Sequence, residues 1–548
     1  MTSLELAGAA RLDAHYAEFL GLVETARRHL DRGRYDAAAG YCQIAGMYAW
    51  MNPVGLFGSD QLEALLGRLS TRVAAAPASR APAGPAHTVL HVATQVYQTG
   101  GSTQAIASWI EQDPGRRHRV CITRQGPVEI PPKIRDPLHA DSDLLCLDAR
   151  PGGLLARAAA LRAAAADADV VVLHLHPCDV VPSIAFAEAA DAPPTIYVDH
   201  ADHVFWLGRS VTQLLLSMRD SGRSLAVSRR GIEPERCFVM PRPLRVAERS
   251  VDRDEAKRRL GLPLDRVLVV TAADGSKYRP VSEPAFLDLV LPLMSRHPDV
   301  LFRAAGPAPE GVWAAAAEAT GGRLRALGRL ADPSLLQQAA DVYLDSFPFS
   351  SLTSLLEVGA FGTPVVTYRG HPEDCLVLGA DTRGLDEHML CPASAGEFQR
   401  DVSQLLTSPE RRSELGARTR TAIIDTHTGE GWRASVAELY ERAADMRAAP
   451  RLGSARRQTG RLDVLIDLVM EQTGFSQGVP GAVRANLGLL SARERVAAWR
   501  RLVRADEPWT AGDVVPDCLR PAAARIRRQA RTVTARVTRR GVAPSRTA

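Results

Sequence analysis

At 548 residues the chain exceeds what one ordinary core organises, so two or three domains are expected. Its 46% hydrophobic and 24% charged residues are those of a water-soluble globular protein, and a formal charge of +5 over this length argues against a nucleic-acid binder. No apolar run reaches the roughly 18 residues of a membrane span, and the first residues lack a signal peptide's basic-then-apolar layout. The eight cysteines (Cys42, Cys121, Cys146, Cys178, Cys237, Cys375, Cys391, Cys518) include no Cys-x-x-Cys pair. They read as reduced thiols of a cytoplasmic protein, with neither a disulfide framework nor a zinc site.

In chain order, residues 1–78 read as a helical subdomain. "HYAEFLGLVETARRHLDRGRYDAAAGYCQIAGMYAW" spaces apolar residues by three and four, with Gly33 as the break of a single hairpin, similar to a tetratricopeptide unit and serving as a cap. "APASRAPAGPAH" then has the composition of a linker. From His87 short Val/Ile/Leu-rich runs alternate with Ala/Leu-rich helical stretches: "TVLHVATQVY", "RRHRVCITRQG", "ADVVVLHLHP" and "PTIYVDHAD". The alternation restarts at "DRVLVVTAAD" and runs through "DVLFRAAGP", "RLRALGRL", "ADVYLDSF" and "TPVVTYRG". Buried strands alternating with helices imply parallel, doubly wound sheets. The expected fold is therefore α/β: two Rossmann-like domains, 87–244 and 245–447, facing a cleft at the carboxyl ends of both sheets. Residues 451–548 read as a helical, Arg-rich extension. In its tail Ile526, Ala530, Val533 and Val537 form a narrow apolar stripe flanked by Arg525, Arg528, Arg536 and Arg539. Such a helix can make weak peripheral contact with an anionic membrane face, here the inner one, but the stripe holds no Trp, Phe or Leu to bury, so a solvated or disordered tail is the first reading.

The residues with chemistry to offer cluster after strands. In "DSFPFSSLTSLLEVGAFGTP", Ser351, Thr353 and Ser354 stand where a helix begins, whose unpaired N–H groups and partial positive charge suit a phosphate. Glu357 falls one turn inward on the face of Thr353, where a ribose diol is its natural partner. Ordinary helix capping with a solvent-facing Glu fits the same letters. "TAADGSKYRP" supplies Lys277 and Arg279 to neutralise a leaving phosphate. In "QTGGSTQA", Gly100 and Gly101 let backbone approach a ligand while Ser102, Thr103 and Gln104 donate to it; the Gly-x-Gly-x-x-Gly of a dinucleotide site is absent. "YVDHADHVFWLG" crowds Asp199, His200, Asp202 and His203 at a strand's end. His takes a proton near neutral pH and an adjacent Asp fixes its tautomer, so His203, and next His200, are the candidate bases. His174 and His176 alternate on the preceding strand and share a face, His176 being nearer its end. Asp141/Asp143 and Asp167/Asp169 have Asp-x-Asp spacing, but the first pair sits in a polar loop and the second precedes a strand, so no metal site is expected.

"LDSFPFSSLTSLLEVGAFGTPVVT" resembles the nucleotide-sugar site of two-Rossmann (GT-B) glycosyltransferases, and is most similar to that of the O-linked N-acetylglucosamine transferases. The resemblance extends over about residues 88–443. It implies that Thr353 and Ser354 hold the donor diphosphate, that Glu357 holds the ribose, and that Lys277 takes the place of a phosphate-binding cation. It also implies that the base rests on backbone near Gly328, Arg329 and Leu330, that Gly306 ends a strand tightly, and that a His lies in the loop holding His200 and His203. The Glu-x7-Glu pattern of many retaining relatives would need Glu at 349, where this chain has Phe349. The expected activity is a metal-independent, inverting transfer of a sugar from a nucleotide diphosphate such as UDP to an acceptor hydroxyl, with no other cofactor. The acceptor is a protein, a lipid-linked molecule or a saccharide. A nucleotide-sugar 2-epimerase is the alternative on this fold, but needs cleft carboxylates beyond Glu357 and Glu373; a non-catalytic scaffold is the third reading.

Overall fold

The computed structural model describes residues 3–74, 87–98, 100–189, 191–245, 249–280, 283–446, 452–473, 476–510 and 512–520. The first domain is built on seven strands: β1 (Thr88–Ala93), β2 (Arg117–Ile122), β3 (Leu144–Cys146), β4 (Val170–His174), β5 (Thr195–Val198), β6 (Leu214–Ser217) and β7 (Cys237–Val239). The second has five: β8 (Leu268–Ala272), β9 (Leu301–Ala305), β10 (Leu324–Ala326), β11 (Val342–Leu344) and β12 (Val365–Val366). Their orders are β3-β2-β1-β4-β5-β6-β7 and β10-β9-β8-β11-β12, with parallel neighbours throughout. Strands such as "VVVLH" and "TIYV" are buried along their whole length because helices cover both faces. These are the two expected Rossmann-like domains. The order in which successive strands are added reverses between β1 and β4 and again between β8 and β11, and a crevice opens at such a switch point. The loops after β1, β8 and β11 carry Gly100–Gly101, Lys277 and Ser350–Ser351.

The helical ends are not independent units. Helices Ser3–Asp31 and Tyr35–Met51 form the expected hairpin, turned at Gly33 (φ 70°), but a third helix, Asp60–Ser70, follows. Phe19, Leu22, Ile44 and Tyr48 share one core with Leu173, Tyr197 and Trp206 of the first domain, so the hairpin is a layer of that domain and not a separate cap. The helix Gly429–Asp445, read as part of the second domain, returns to the first: Trp432, Val436, Leu439 and Tyr440 pack on Val89, Trp109, Val170 and Ile196. Its apolar stripe was visible in the sequence; the sheet that receives it was not.

The helix Arg461–Thr473 of the extension is wedged between both domains. Arg11 donates to Asp467 at 2.9 Å on one side. On the other, Leu462, Leu465 and Ile466 cluster with Phe57, Cys375, Val377 and Leu378, and Phe349 packs at the edge of that cluster. The domains are further tied by Ser221, whose N–H and hydroxyl donate to Asp381 at 2.8 and 2.6 Å, and by Arg383, which donates to the Val239 carbonyl at 2.9 Å. The tail stripe of Ile526, Ala530, Val533 and Val537 and most of the linker lie outside the described residues. Among the described residues no helix is long and apolar enough to cross a membrane.

Candidate active site

The loop after β11 is organised by a residue the sequence reading passed over. Asp345 Oδ1 accepts from the N–H groups of Ser346 and Ser351, both at 2.9 Å, and Oδ2 accepts from the hydroxyls of Ser350 at 2.6 Å and Thr367 at 3.2 Å. Burial raises the Asp345 pKa while these donors oppose it. A carboxylate so placed fixes the turn from strand to helix. The clue was an acid immediately after an apolar strand and before a run of hydroxyls. The helix Leu352–Ala360 then starts at Ser351 with no side-chain cap and no acid in its first turn. Ser351, Thr353 and Ser354 are only half-buried there. The positive end of the helix is therefore left for an outside anion.

Lys277 reaches this loop from the turn Gly275–Tyr278 after β8. Its Nζ donates to the Ser350 carbonyl at 2.7 Å and stands 4.8 Å over the Phe349 ring. Burial lowers its pKa to about 8, Asp345 opposing and Arg219 adding to the shift. Glu357 lies one turn into the helix, where Oε2 accepts from Gln337 at 3.3 Å. Burial raises its pKa, against the Gln337 hydrogen bond and the charges of Arg242 and Lys133 from the first domain. Arg242 was not foreseen, standing in a connector that reads only as a joint. Its guanidinium donates to the Gly101 carbonyl, and burial lowers its pKa to about 10. A Cβ on Gly101 would come within 2.9 Å of that guanidinium, so this glycine admits the arginine.

Across from Lys277, the loop after β5 presents His203. Its ring meets the Phe349 ring edge-on at 4.6 Å, and its Nδ1 lies 3.2 Å from Asp202 Oδ1. Asp202 is gripped by Arg219, with contacts of 2.7 to 2.9 Å to both oxygens. Arg219 also donates to the Val377 carbonyl at 2.7 Å and to that of Gly379, which fixes the loop against the second domain. Burial alone would raise the Asp202 pKa; Arg219 and then His203 outweigh it, and Asp202 stays ionised. Burial lowers the His203 pKa, with Asp202 opposing. A neutral His203 that donates from Nδ1 to Asp202 keeps its Nε2 lone pair.

Several expected residues lie elsewhere. Asp199 has no exposed side-chain surface and faces Arg230 at 3.8 Å in the interior, so it does not line the cleft. Thr103 is buried, its hydroxyl accepting from Tyr97 N–H at 3.0 Å, a loop contact. Gln104 accepts from Lys133 at 3.3 Å. Gly100 (φ 138°) has open space where a Cβ would stand, and Ser102 is half-buried. Arg279 is exposed, and Arg329, 86% exposed, pairs with Asp274 at 3.0 Å. Gly328 (φ 69°) accepts from Gly306 N–H at 2.8 Å, and Gly306 is obligatory because a Cβ there would fall 1.7 Å from the Ala273 carbonyl oxygen. Strand β4 ends at His174, so His174 and His176 do not share a strand face: His176 stacks on Tyr97 with ring centroids 6.0 Å apart. Asp143 is paired with Arg117 at 2.7 Å, and Asp169 accepts from His87 and Thr88 N–H. Among the described residues no three His, Cys, Asp or Glu side chains are grouped to hold a metal ion.

No family model matches the sequence, and no curated protein matches it. Among solved structures the fold is similar to a glycosyltransferase from Rickettsia africae ESF-5 (TM-score 0.49, 11% identity, 65% of this chain and 98% of that one). It is similar also to Anabaena HepE in complex with UDP and glucose (0.48, 16%, 64% and 99%). A third likeness is to a mutant O-GlcNAc transferase from Thermobaculum terrenum (0.45, 15%, 80% and 83%).

Proposed function

We propose that the protein is a glycosyltransferase that moves a sugar from a nucleoside diphosphate donor to an acceptor hydroxyl. The observation that carries this reading is the uncapped start of helix Leu352–Ala360, with Lys277 held at its mouth and Glu357 one turn inward. Two phosphates there meet backbone N–H groups, the Thr353 and Ser354 hydroxyls and a buried cation, while the ribose diol donates to Glu357. As the bond from the anomeric carbon to phosphate breaks, its electron pair stays on the diphosphate. Lys277 and the helix end stabilise that charge without needing a metal ion. The new bond forms to the acceptor oxygen, whose proton passes to an imidazole of the loop holding His200 and His203. Phe349 offers no nucleophile between Lys277 and His203, which supports inversion at the anomeric carbon by one displacement.

Incubation with a panel of UDP- and GDP-sugars, followed by chromatography of nucleotides and sugars, tests the reading. Release of nucleoside diphosphate supports a transferase. An epimerised nucleotide sugar without release would make the chain an epimerase, and binding of none of them would leave a scaffold.

A further inference from the structure

Four imidazoles form a continuous row through the first domain, and only the last belongs to the loop of His203. His118 Nε2 lies 2.8 Å from the Asp113 carbonyl oxygen, and His118 Nδ1 lies 3.0 Å from His91 Nε2. His91 Nδ1 lies 3.1 Å from His174 Nε2, and His174 Nδ1 lies 2.9 Å from His200 Nε2. The first three rings are at most 3% exposed. His200 Nδ1 is buried and has no hydrogen-bond partner.

The far end of the row dictates the near end. A carbonyl only accepts, so His118 must carry its proton on Nε2, and a neutral ring then has a lone pair on Nδ1. That lone pair requires the proton of His91 on Nε2, which requires the same of His174 and, in turn, of His200. The free nitrogen of His200 is therefore a lone pair. The four rings are neutral in this arrangement: burial lowers the pKa of each, His200 to about 3 with Arg242 contributing.

We propose that this row is a proton relay, which accepts the acceptor hydroxyl's proton at His200 Nδ1 and leaves the positive charge on His118 beside Asp113; it rests on the glycosyltransferase reading above. As the acceptor O–H bond breaks, its proton joins His200 Nδ1; that nitrogen has no accessible surface in this structure, so the step requires the loop after β5 to open at it when the acceptor binds. The Nε2 protons of His200, His174 and His91 each move to the next Nδ1, and His118 ends with both nitrogens protonated. After product leaves, the shifts reverse and His200 returns the proton to water in the emptied cleft. The electrostatics favour this displacement of charge. Burial and then the charge of Arg242 penalise an imidazolium at His200. His91 and His174 lie against the Trp109 ring, at 5.7 and 5.9 Å. His118 has the Asp113 carboxylate 3.6 Å away, against the charges of Arg116 and His139. Arg116, at 2.6 Å, and the Tyr440 hydroxyl, at 3.3 Å, hold that carboxylate in place.

The test combines kinetics with a signature that a merely structural row would not give. His91→Gln keeps a donor and an acceptor but has no second ring nitrogen to pass a proton. In the full-length variant kcat is expected to fall at least ~10-fold with the donor KM unchanged. A folded variant with kcat within about 2-fold of the parent would overturn the relay, since a positioned base contributes far more than that. If the variant does not fold, the parent decides. Long-range 15N–1H spectra of histidine-labelled protein are expected to show Nε2–H tautomers for all four rings, and a proton inventory in mixed H2O and D2O is expected to curve. An Nδ1–H ring in the row, or a linear inventory, would overturn it. Absence of turnover of any nucleotide sugar by the parent would instead remove the transferase reading, and the tautomer pattern would still decide whether His200 is presented as an acceptor.

Discussion

Lys277→Met removes one positive charge from the proposed donor site, together with the hydrogen bond to the Ser350 carbonyl. The Lys277 Nζ donates to the Ser350 carbonyl at 2.7 Å and stands 4.8 Å over the Phe349 ring; a methionine keeps a similar length of side chain but neither of these contacts. A unit charge about 4 Å from a developing phosphate charge, at an effective dielectric constant of about 20, is worth ~4 kcal/mol. That corresponds to about three decades in rate. The start of helix Leu352–Ala360 and Arg242 share the load, so a loss of about 100- to 1000-fold in kcat is the expectation. The fold does not need this charge. Burial disfavours the Lys277 cation, so the variant's Tm is expected to be unchanged or higher. Steady-state release of nucleoside diphosphate, read alongside thermal melting, measures both. A folded variant with unchanged kcat would refute the phosphate role of Lys277.

Other expectations follow from the same geometry. Glu357→Ala removes the ribose acceptor, and a charged hydrogen bond contributes about 1.5–3 kcal/mol, so donor kcat/KM is expected to fall at least ~10-fold with folding intact; an unchanged value would leave Glu357 a capping or surface acid. In the free protein Lys277 is charged below its pKa of about 8 and neutral above it, so donor kcat/KM should hold below that pH and fall as pH rises through it. Lys277→Arg keeps its charge at every accessible pH and should abolish that limb, and a parent profile that is flat to pH 10 contradicts the assignment. Activity is expected to survive EDTA, and a strict requirement for a divalent ion would show that fixed cations do not suffice. NMR of the fresh product is expected to show an inverted anomer; retention would require a different role for the residues around Phe349.

The sheets and the placement of hydroxyls and an acid on helix Leu352–Ala360 were legible because their signals are local. Buried strands are short apolar runs, and hydroxyls followed by an acid at helical spacing place Thr353, Ser354 and Glu357 together whatever surrounds them. What was not legible depends on partners distant in sequence. Arg242 becomes a cleft residue only because Gly101, 141 positions away, accepts its guanidinium. Asp199 and Asp202 look alike in "YVDHADHV", but one turns inward to Arg230 while Arg219 clamps the other beside His203. The imidazole row joins strands β1, β2 and β4 with the turn after β5; His200 reads as a candidate base, but nothing in the sequence connects it to His174, His91 and His118. The helix Gly429–Asp445 shows the same limit at the scale of domains, since an amphipathic stripe does not name the sheet it will cover.

The central claim is that the mouth of helix Leu352–Ala360 holds a nucleoside diphosphate. Isothermal titration of the full chain with UDP and with GDP, repeated on Glu357→Ala and Lys277→Met, tests it most directly. Saturable one-to-one binding of one nucleotide by the parent, weakened at least ~10-fold in each variant, is the expected result. Binding of neither nucleotide, or equal binding by all three proteins, would contradict it.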